Sequence, residues 1–291
     1  MRLLFLSAWC PFPADNGAKL RTYHLLRGLA RRHEVSLVSF CPEGDDGARR
    51  AHLAGFCREV TLVQKTPFAA RRARALAGLL SAQPRSLVAN YSRAMALAAR
   101  RQWAARPYDA VIAGGMHMAP YALALPRARR VLEELELARL YEPYAAATSP
   151  RARLRAGLTW WKSARYLRAI LPQFAAFSVA SATEAALAAP LAPRAQPRAV
   201  VPNGVDVAAC AVIAAEPQPD RLIYPGAISY DANHDAVAHF AAEILPRIQR
   251  ERPAAHLAVT GKTTPAQLAA LPMARGLEFT GYLDDVRPAV A

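Results

Sequence analysis

Short apolar runs alternate with longer stretches of helical periodicity along almost all of this chain, and that alternation leaves few architectures open. Strands buried on both faces need no polar alternation, and a helix between successive strands is what a parallel sheet requires. RLLFLSAW reads as a first strand, CPFPADNG as a loop, and AKLRTYHLLRGLARR as a helix with Thr22, Leu25, Leu26 and Leu29 on one face. EVSLVSF follows as the second strand. Further strands are predicted at EVTLV (59–63), DAVIAG (109–114), RVLEEL (130–135), FSVAS (177–181) and AVVPNG (199–204). A long helix carrying Arg and Trp runs from about Arg151 to Leu171 and ends near Pro172.

After VVPNGVD the texture changes. Residues 207–220 are Pro-rich and without periodicity, so the spacing predicts a domain at 1–206, a linker at 207–220 and a second domain at 221–291. RLIYPG opens that second domain as a fresh strand. The helix after it carries an apolar stripe of Val237, Phe240, Ala241, Ile244, Leu245 and Ile248, with Pro246 expected to kink it. AHLAVTG and LEFTG are strands, with TPAQLAALP as a short helix between them. The sequence reaches Ala291 inside DDVRPAVA, where another helix is starting, so the second domain is expected to be incomplete, with three strands and an open edge.

Composition narrows the class further. A chain of 291 residues that is 53% hydrophobic can bury two cores and is not disordered. The formal charge of +15 would suit nucleic acid or an anionic membrane. Only Lys19, Lys65, Lys162 and Lys262 are lysine, and the Arg, Ala and Pro enrichment is that of a GC-rich coding sequence. The arginine groups Arg71, Arg72, Arg74 and Arg151, Arg153, Arg155 fall in helical contexts; they read either as a basic surface facing an anionic membrane or as solvated helix faces. No nucleic-acid partner is expected. Cys10, Cys41, Cys57 and Cys210 have neither pairing nor ligand spacing, so no metal site and no disulfide framework are expected, which fits a reducing cytoplasm. MRLLFLSAWC imitates a signal peptide but is short, and no run approaches the ~20 apolar residues of a membrane span.

Four segments carry a resemblance. PFPADNGAKLRTYHLLRGLARRHEVSLVSF, AVVPNGVD, YPGAISYDANHDAVAHFAAEILPRI and TGYLDDVRP, in this order, resemble the family 4 glycosyltransferases, especially those of exopolysaccharide clusters. The resemblance implies an α/β protein of the GT-B type, two Rossmann-like domains with parallel sheets. It also implies retaining transfer of a sugar from a nucleotide diphosphate sugar to a glycan or lipid-linked acceptor held by the N-terminal domain. That nucleotide sugar is a co-substrate, and neither metal nor cofactor is implied. The place of action would be the cytoplasm, with peripheral contact at the inner face of the cell membrane. Members of the family continue for roughly another hundred residues, through a Gly-rich loop and a Glu-x7-Glu motif that grips the donor. Glu243 and Glu251 match that motif literally, yet they lie on the first helix of the second domain, about 12 Å apart along its axis, with no Gly-rich loop before them. They read as a solvated helix face, and the chain reads as a C-terminally truncated member with donor binding weakened.

Candidate site residues follow. Asn16 and Gly17 close the first strand-to-helix loop, where backbone amides at a helix start can meet a phosphate; the same dipeptide also makes an ordinary left-handed turn. The resemblance makes this the donor-facing loop, and Arg21, one turn on, faces acceptor or phosphate or else solvent. His117 follows a strand end, where the resemblance implies a histidine near the transferred sugar; the alternative is a partly buried loop histidine. His24 and His33 fit structural roles. In the second domain Gly226, Ser229 and Lys262 are donor-side candidates beside ordinary turn and surface readings, Gly281 is a strand-end turn, and Asn233 or Asp235 is expected to cap the next helix. Glu133, Glu134 and Glu136 spread along a strand and its exit, which favours a structural role. Two rivals remain: a non-catalytic acceptor-binding or partner module, and a dinucleotide enzyme, which the absence of Gly-x-Gly-x-x-Gly after the first strand disfavours.

Overall fold

The computed structural model describes residues 1–44, 46–65, 73–213, 216–272 and 275–290. Arg71 and Arg72 lie outside the described residues, as does the side chain of Arg74. The chain forms two compact units, Met1–Gly204 and Val205–Ala291.

The first unit is built on seven strands: β1 Arg2–Ser7, β2 Glu34–Cys41, β3 Glu59–Gln64, β4 Ala110–Gly114, β5 Arg130–Glu133, β6 Ala176–Val179 and β7 Arg198–Val200. They are parallel throughout, in the order β3-β2-β1-β4-β5-β6-β7. β1 shows why an uninterrupted apolar run forms a central strand. Its Leu4 and Leu6 enter a core with Val38, Val111 and Ala113, while Leu3 and Phe5 enter the opposite core with Val35, Leu37 and Ile112. Period-two alternation thus feeds two faces, and each fully buried Leu or Phe contributes about 1.5–3 kcal/mol of transfer free energy.

The helices are α1 Gly17–Ala30, α2 Asp46–Ala54, α3 Ala73–Leu80, α4 Arg85–Asn90, α5 Arg93–Ala105, α6 Ala119–Leu123, α7 Ala138–Ala145, α8 Pro150–Ile170 and α9 Ala182–Ala188. α1 and α2 cover one face through Leu26 and Leu53; α5, α6 and α8 cover the other through Met95, Ala122 and Leu167. α8 ends at Ile170, and Pro172 sits in the 3-10 turn Leu171–Gln173 that follows.

The second unit has β8 Arg221–Pro225, β9 His256–Thr260 and β10 Leu277–Gly281, parallel in the order β10-β9-β8. Its helices are α10 Val207–Ala211, α11 Asp231–His239, α12 Leu245–Glu251, α13 Pro265–Ala269 and α14 Arg287–Val290. α10 lies in the stretch read from sequence as linker. A π turn at Phe240–Ile244 joins α11 to α12, with Pro246 in the first turn of α12. Proline has no N–H to donate, and the wider turn absorbs the mismatch. The extra residue also rotates the apolar stripe: Val237, Ala241 and Leu245 are buried, whereas Ile244 is 36% exposed.

One expectation in this unit is corrected. α11 starts at Asp231 with Tyr230 as its N-cap and no side-chain cap bond, so neither Asn233 nor Asp235 caps it. Asn233 points back instead: its Nδ2 donates to the Ala227 carbonyl at 3.0 Å and its Oδ1 accepts from the Tyr224 hydroxyl at 3.0 Å. A Cβ on Gly226 would lie 2.8 Å from that amide, so the glycine is required by packing.

Candidate functional site

The strand order of the first unit reverses between β1 and β4, and the C-terminal ends of strands flanking such a reversal form the crevice of an open α/β sheet. A cavity of about 890 Å³ lies there, within the first unit alone. Ser7 to Trp9 leave β1 along its edge, Gly114 to Met118 leave β4, and Glu133 to Leu137 leave β5. Lys65, just past β3, reaches across to it.

His117 is placed by two glycines. A Cβ on Gly114 would sit 3.1 Å from the Leu6 carbonyl, and Gly115 has φ +80, the left-handed region that side chains disfavour. Its N–H donates to the Glu133 carbonyl at 2.7 Å, which folds the chain into the 3-10 turn Met116–Met118 and turns His117 toward the cavity. Burial, then the charges of Lys65 and Arg139, lower the pKa of His117, so the imidazole is neutral at physiological pH and acts as donor or acceptor rather than as a cation.

Arg21 does not point to solvent. Its guanidinium, with the side chain 7% exposed, places Nη2 2.8 Å from Glu133 Oε1, Nε 3.1 Å from Glu134 Oε1, and Nη1 2.9 Å from Asn203 Oδ1. Asn203 belongs to the VVPNGVD segment, so two of the sequence segments singled out above meet at one guanidinium. Glu133 and Glu134, read from sequence as structural, both line the cavity. Glu134 takes φ +58 in the left-handed region, a conformation costing about 1–3 kcal/mol that concentrates at functional sites. Its N–H donates to Ser178 Oγ at 3.0 Å. Burial, and next the charge of Glu133, push its carboxyl up to about 7; burial also raises Glu133, against the lowering effect of Arg21. Two carboxylates therefore share one cation at the cavity wall.

Asn16 is extended, with φ −153, and Gly17 begins α1; neither forms the left-handed turn. The Asn16 side chain accepts from the Lys19 N–H at 3.1 Å as an N-cap. A Cβ on Gly17 would meet nothing within 4 Å. Ala18 and Thr22, one residue and one turn further on, line the cavity, whereas Asn16 and Gly17 are not among its lining residues. In the second unit Ser229 and Lys262 are exposed, the latter with its ammonium 4.9 Å from the Tyr282 ring centre. Gly261 takes φ +114 beside the Ala227 backbone, and its N–H donates to the Gly281 carbonyl at 2.8 Å.

Lys65 lines the cavity without having been singled out for it in the sequence, and Glu184 supports the cavity wall from outside it. Lys65 holds its ammonium 3.6 Å from the centre of the Trp9 ring and donates to the Ala8 carbonyl at 3.3 Å. Glu184, on α9, accepts from the N–H groups of Leu137 at 2.6 Å and Ala138 at 3.1 Å, fixing the loop that carries Glu134 and Glu136. Cys10, Cys41 and Cys57 are buried free thiols, and burial pushes Cys41 and Cys57 up to about 12, which leaves them poor nucleophiles. Among the described residues no group of three or more His, Cys, Asp or Glu is placed to hold a metal ion.

No protein-family model matches the chain, and no curated protein matches it in sequence. Solved structures match it in fold. An apo structure of OtsA aligns with 99% of this chain and 75% of its own at a TM-score of 0.56 and 14% identity. The Medicago truncatula UGT71G1 structure with UDP-glucose aligns with 98% of this chain and 72% of its own at 0.54 and 9%. The trehalose 6-phosphate synthase of Burkholderia multivorans aligns with 100% and 75% at 0.53 and 14%. At these identities the likeness is one of fold: the parallel α/β sheets are those of the GT-B architecture.

Proposed function

We propose that the chain is a glycosyltransferase that moves a sugar from a nucleotide diphosphate sugar to a glycan or lipid-linked acceptor, in the manner of the family 4 enzymes of exopolysaccharide synthesis. The observation that carries this reading is the cavity at the β1/β4 reversal, with neutral His117 and the Arg21-bridged carboxylates at the ends of adjacent strands. Sugar recognition needs such a set: planar acceptors and donors for hydroxyls, fixed before the ligand arrives. The GT-B neighbours support it, since one of them was solved with UDP-glucose and another set describes glycosyl transfer with retention by trehalose-6-phosphate synthase. In this reading His117 meets the transferred sugar and Arg21 orders the acceptor wall; Asn16 and Gly17 in the first unit, and separately Gly226, Ser229 and Lys262 in the second, are the donor-side candidates. Transfer proceeds with retention by front-face displacement, the leaving diphosphate taking up the developing charge with no protein nucleophile.

Calorimetric titration of the chain with uridine, guanosine and thymidine diphosphate sugars tests it. Saturable binding of one donor, weaker than micromolar and competed by its nucleoside diphosphate, is expected. Heats of dilution alone for every donor would remove the transferase reading. They would favour the second one, an acceptor-binding module, which the cavity's confinement to the first unit supports; glycan binding without a donor would then persist.

The acceptor side also fits peripheral contact with an anionic membrane at the inner face of the cell membrane. Among the described residues no helix is long and apolar enough to cross a membrane. On α8, however, Leu154, Leu158 and Trp161 are 76%, 49% and 52% exposed at i, i+4, i+7 spacing, flanked by exposed Arg151, Arg155 and Arg165. At about 1 kcal/mol per arginine near a charged surface, flotation should show roughly 100-fold stronger binding to phosphatidylglycerol vesicles than to phosphatidylcholine vesicles. Salt should weaken it, and Trp161→Glu should remove it. Equal binding to both vesicle types would refute the anionic docking.

A further inference from the structure

Across the cavity the polar groups are laid out by strand order. Lys65 Nζ lies against the Ala8 carbonyl, over the end of β1. His117 follows β4, the next strand, and Glu133 and Glu134 stand at the end of β5, the strand after that. Two strand spacings separate the ammonium from the carboxylates, about 10 Å, the span of one pyranose ring with a substituent at each side.

The two ends differ in charge. Lys65 has no carboxylate partner among the described residues: one N–H donates to Ala8, the Trp9 ring covers the ammonium, and its remaining donors have no acceptor. Its pKa is lowered by burial, the mark of a cation held partly out of water without a counter-charge. Arg139 lines the same cavity, and among the described residues its one ion-pair contact, to Glu136, is a loose 3.9 Å. Both cations act on His117, so the positive potential extends along the β1 and β4 ends. At the β5 end the two carboxylates, bridged by Arg21, supply acceptors for hydroxyls. An unpaired, partly desolvated cation is costly unless a ligand supplies the opposite charge.

We propose that the first unit takes an acidic sugar, a phosphorylated or uronic monosaccharide unit, with its anionic group on Lys65 and Arg139 and its hydroxyls on Glu134. This deepens the glycosyltransferase reading by naming the acceptor class and rests on it only for the word acceptor; the binding site itself stands on the first unit. A neutral sugar would leave Lys65 unpaired, and a bare anion would leave the carboxylate end unused. Neutral His117 lies between the two and can serve either a hydroxyl or an anion oxygen.

Binding to the whole chain separates these cases, read by heteronuclear NMR with glucose, glucuronate, glucose 6-phosphate and inorganic phosphate as probes. The acidic sugars are expected to bind roughly 10- to 100-fold more tightly than glucose and than phosphate, the worth of one or two charge-assisted hydrogen bonds. Lys65→Met should abolish the preference for glucuronate over glucose. Glu134→Gln should weaken glucose and glucuronate alike. Glucose binding as tightly as glucuronate, or phosphate as tightly as glucose 6-phosphate, overturns the proposal. So does an unchanged preference in a folded Lys65→Met chain. Failure of nucleotide sugars to bind in the titration above, with these preferences intact, would instead remove only the transferase reading.

Discussion

Replacing Arg21 by methionine is expected to destabilise the first unit by about 3–5 kcal/mol, because it leaves two largely buried carboxylates with no cation. For a unit of this size that corresponds to a fall in Tm of about 6–20 °C. The pH dependence distinguishes this cause from lost packing. In the unmodified chain Glu134, raised from 4.5 to about 7, contributes stability that is fully present below 4.5 and lost as pH rises through about 7. Arg21 is what lowers both carboxyls against burial and mutual repulsion. Without it they climb further, so the deficit should be largest near pH ~8 and shrink toward pH ~5, where protonation removes the charge. Thermal melts at the two pH values check it. A deficit of equal size at both would show that the guanidinium contributes shape rather than charge. Adding Glu133→Gln to the Arg21→Met chain should recover part of the loss at pH ~8.

The Arg21 cluster also marks where sequence reasoning stops. The strands of both units were legible because a strand buried on two faces is a mostly apolar run, as RLLFLS and EVSLVSFC are, set between stretches of helical periodicity. The first helix was legible from the spacing of Thr22, Leu25, Leu26 and Leu29. Pairing order is not written in such runs. Nothing local says that β1 lies between β2 and β4, yet that order brings Arg21 to Glu133 across 112 residues and to Asn203 across 182. Lys65 was visible only as one of four lysines; its position follows from β3 being an edge strand and from a side chain long enough to reach Ala8. Asn233 misled for a different reason. Asn in a loop before an apolar helix is a good capping candidate, but α11 begins two residues earlier, and the amide is used to tie the Tyr224 hydroxyl to the Ala227 carbonyl.

Glu184 had a local signal with a different meaning. Ser181-x-x-Glu184 has the form of a capping box, and Ser181 does accept the Glu184 N–H at 3.2 Å. The glutamate carboxylate does not return to the Ser181 backbone. It reaches across to the start of α7, where Leu137 is an N-cap without a side-chain cap bond, and supplies the missing acceptor to Leu137 and Ala138. An anion at a helix start, accepting two N–H groups in a largely buried site, is the favourable arrangement for both charge and hydrogen bonding. Glu184→Ala should therefore cost about 2–5 kcal/mol, since each N–H left without an acceptor costs about 1–3. Glu184→Gln keeps an acceptor oxygen and should lose less than half as much. The local consequence matters more for function than the global one. With α7 uncapped, the segment from Glu134 to Arg139 loses the anchor that holds Glu134 and Arg139 of the proposed sugar site to the sheet. Hydrogen exchange should accelerate at Leu137, Ala138 and Arg139 before it does in β1 or β4, and glucuronate affinity should fall with it. An Ala variant that melts like the parent, with those amides still protected, would mean that water or the neighbouring backbone replaces the carboxylate, and that the loop is fixed from the Ser178 side alone.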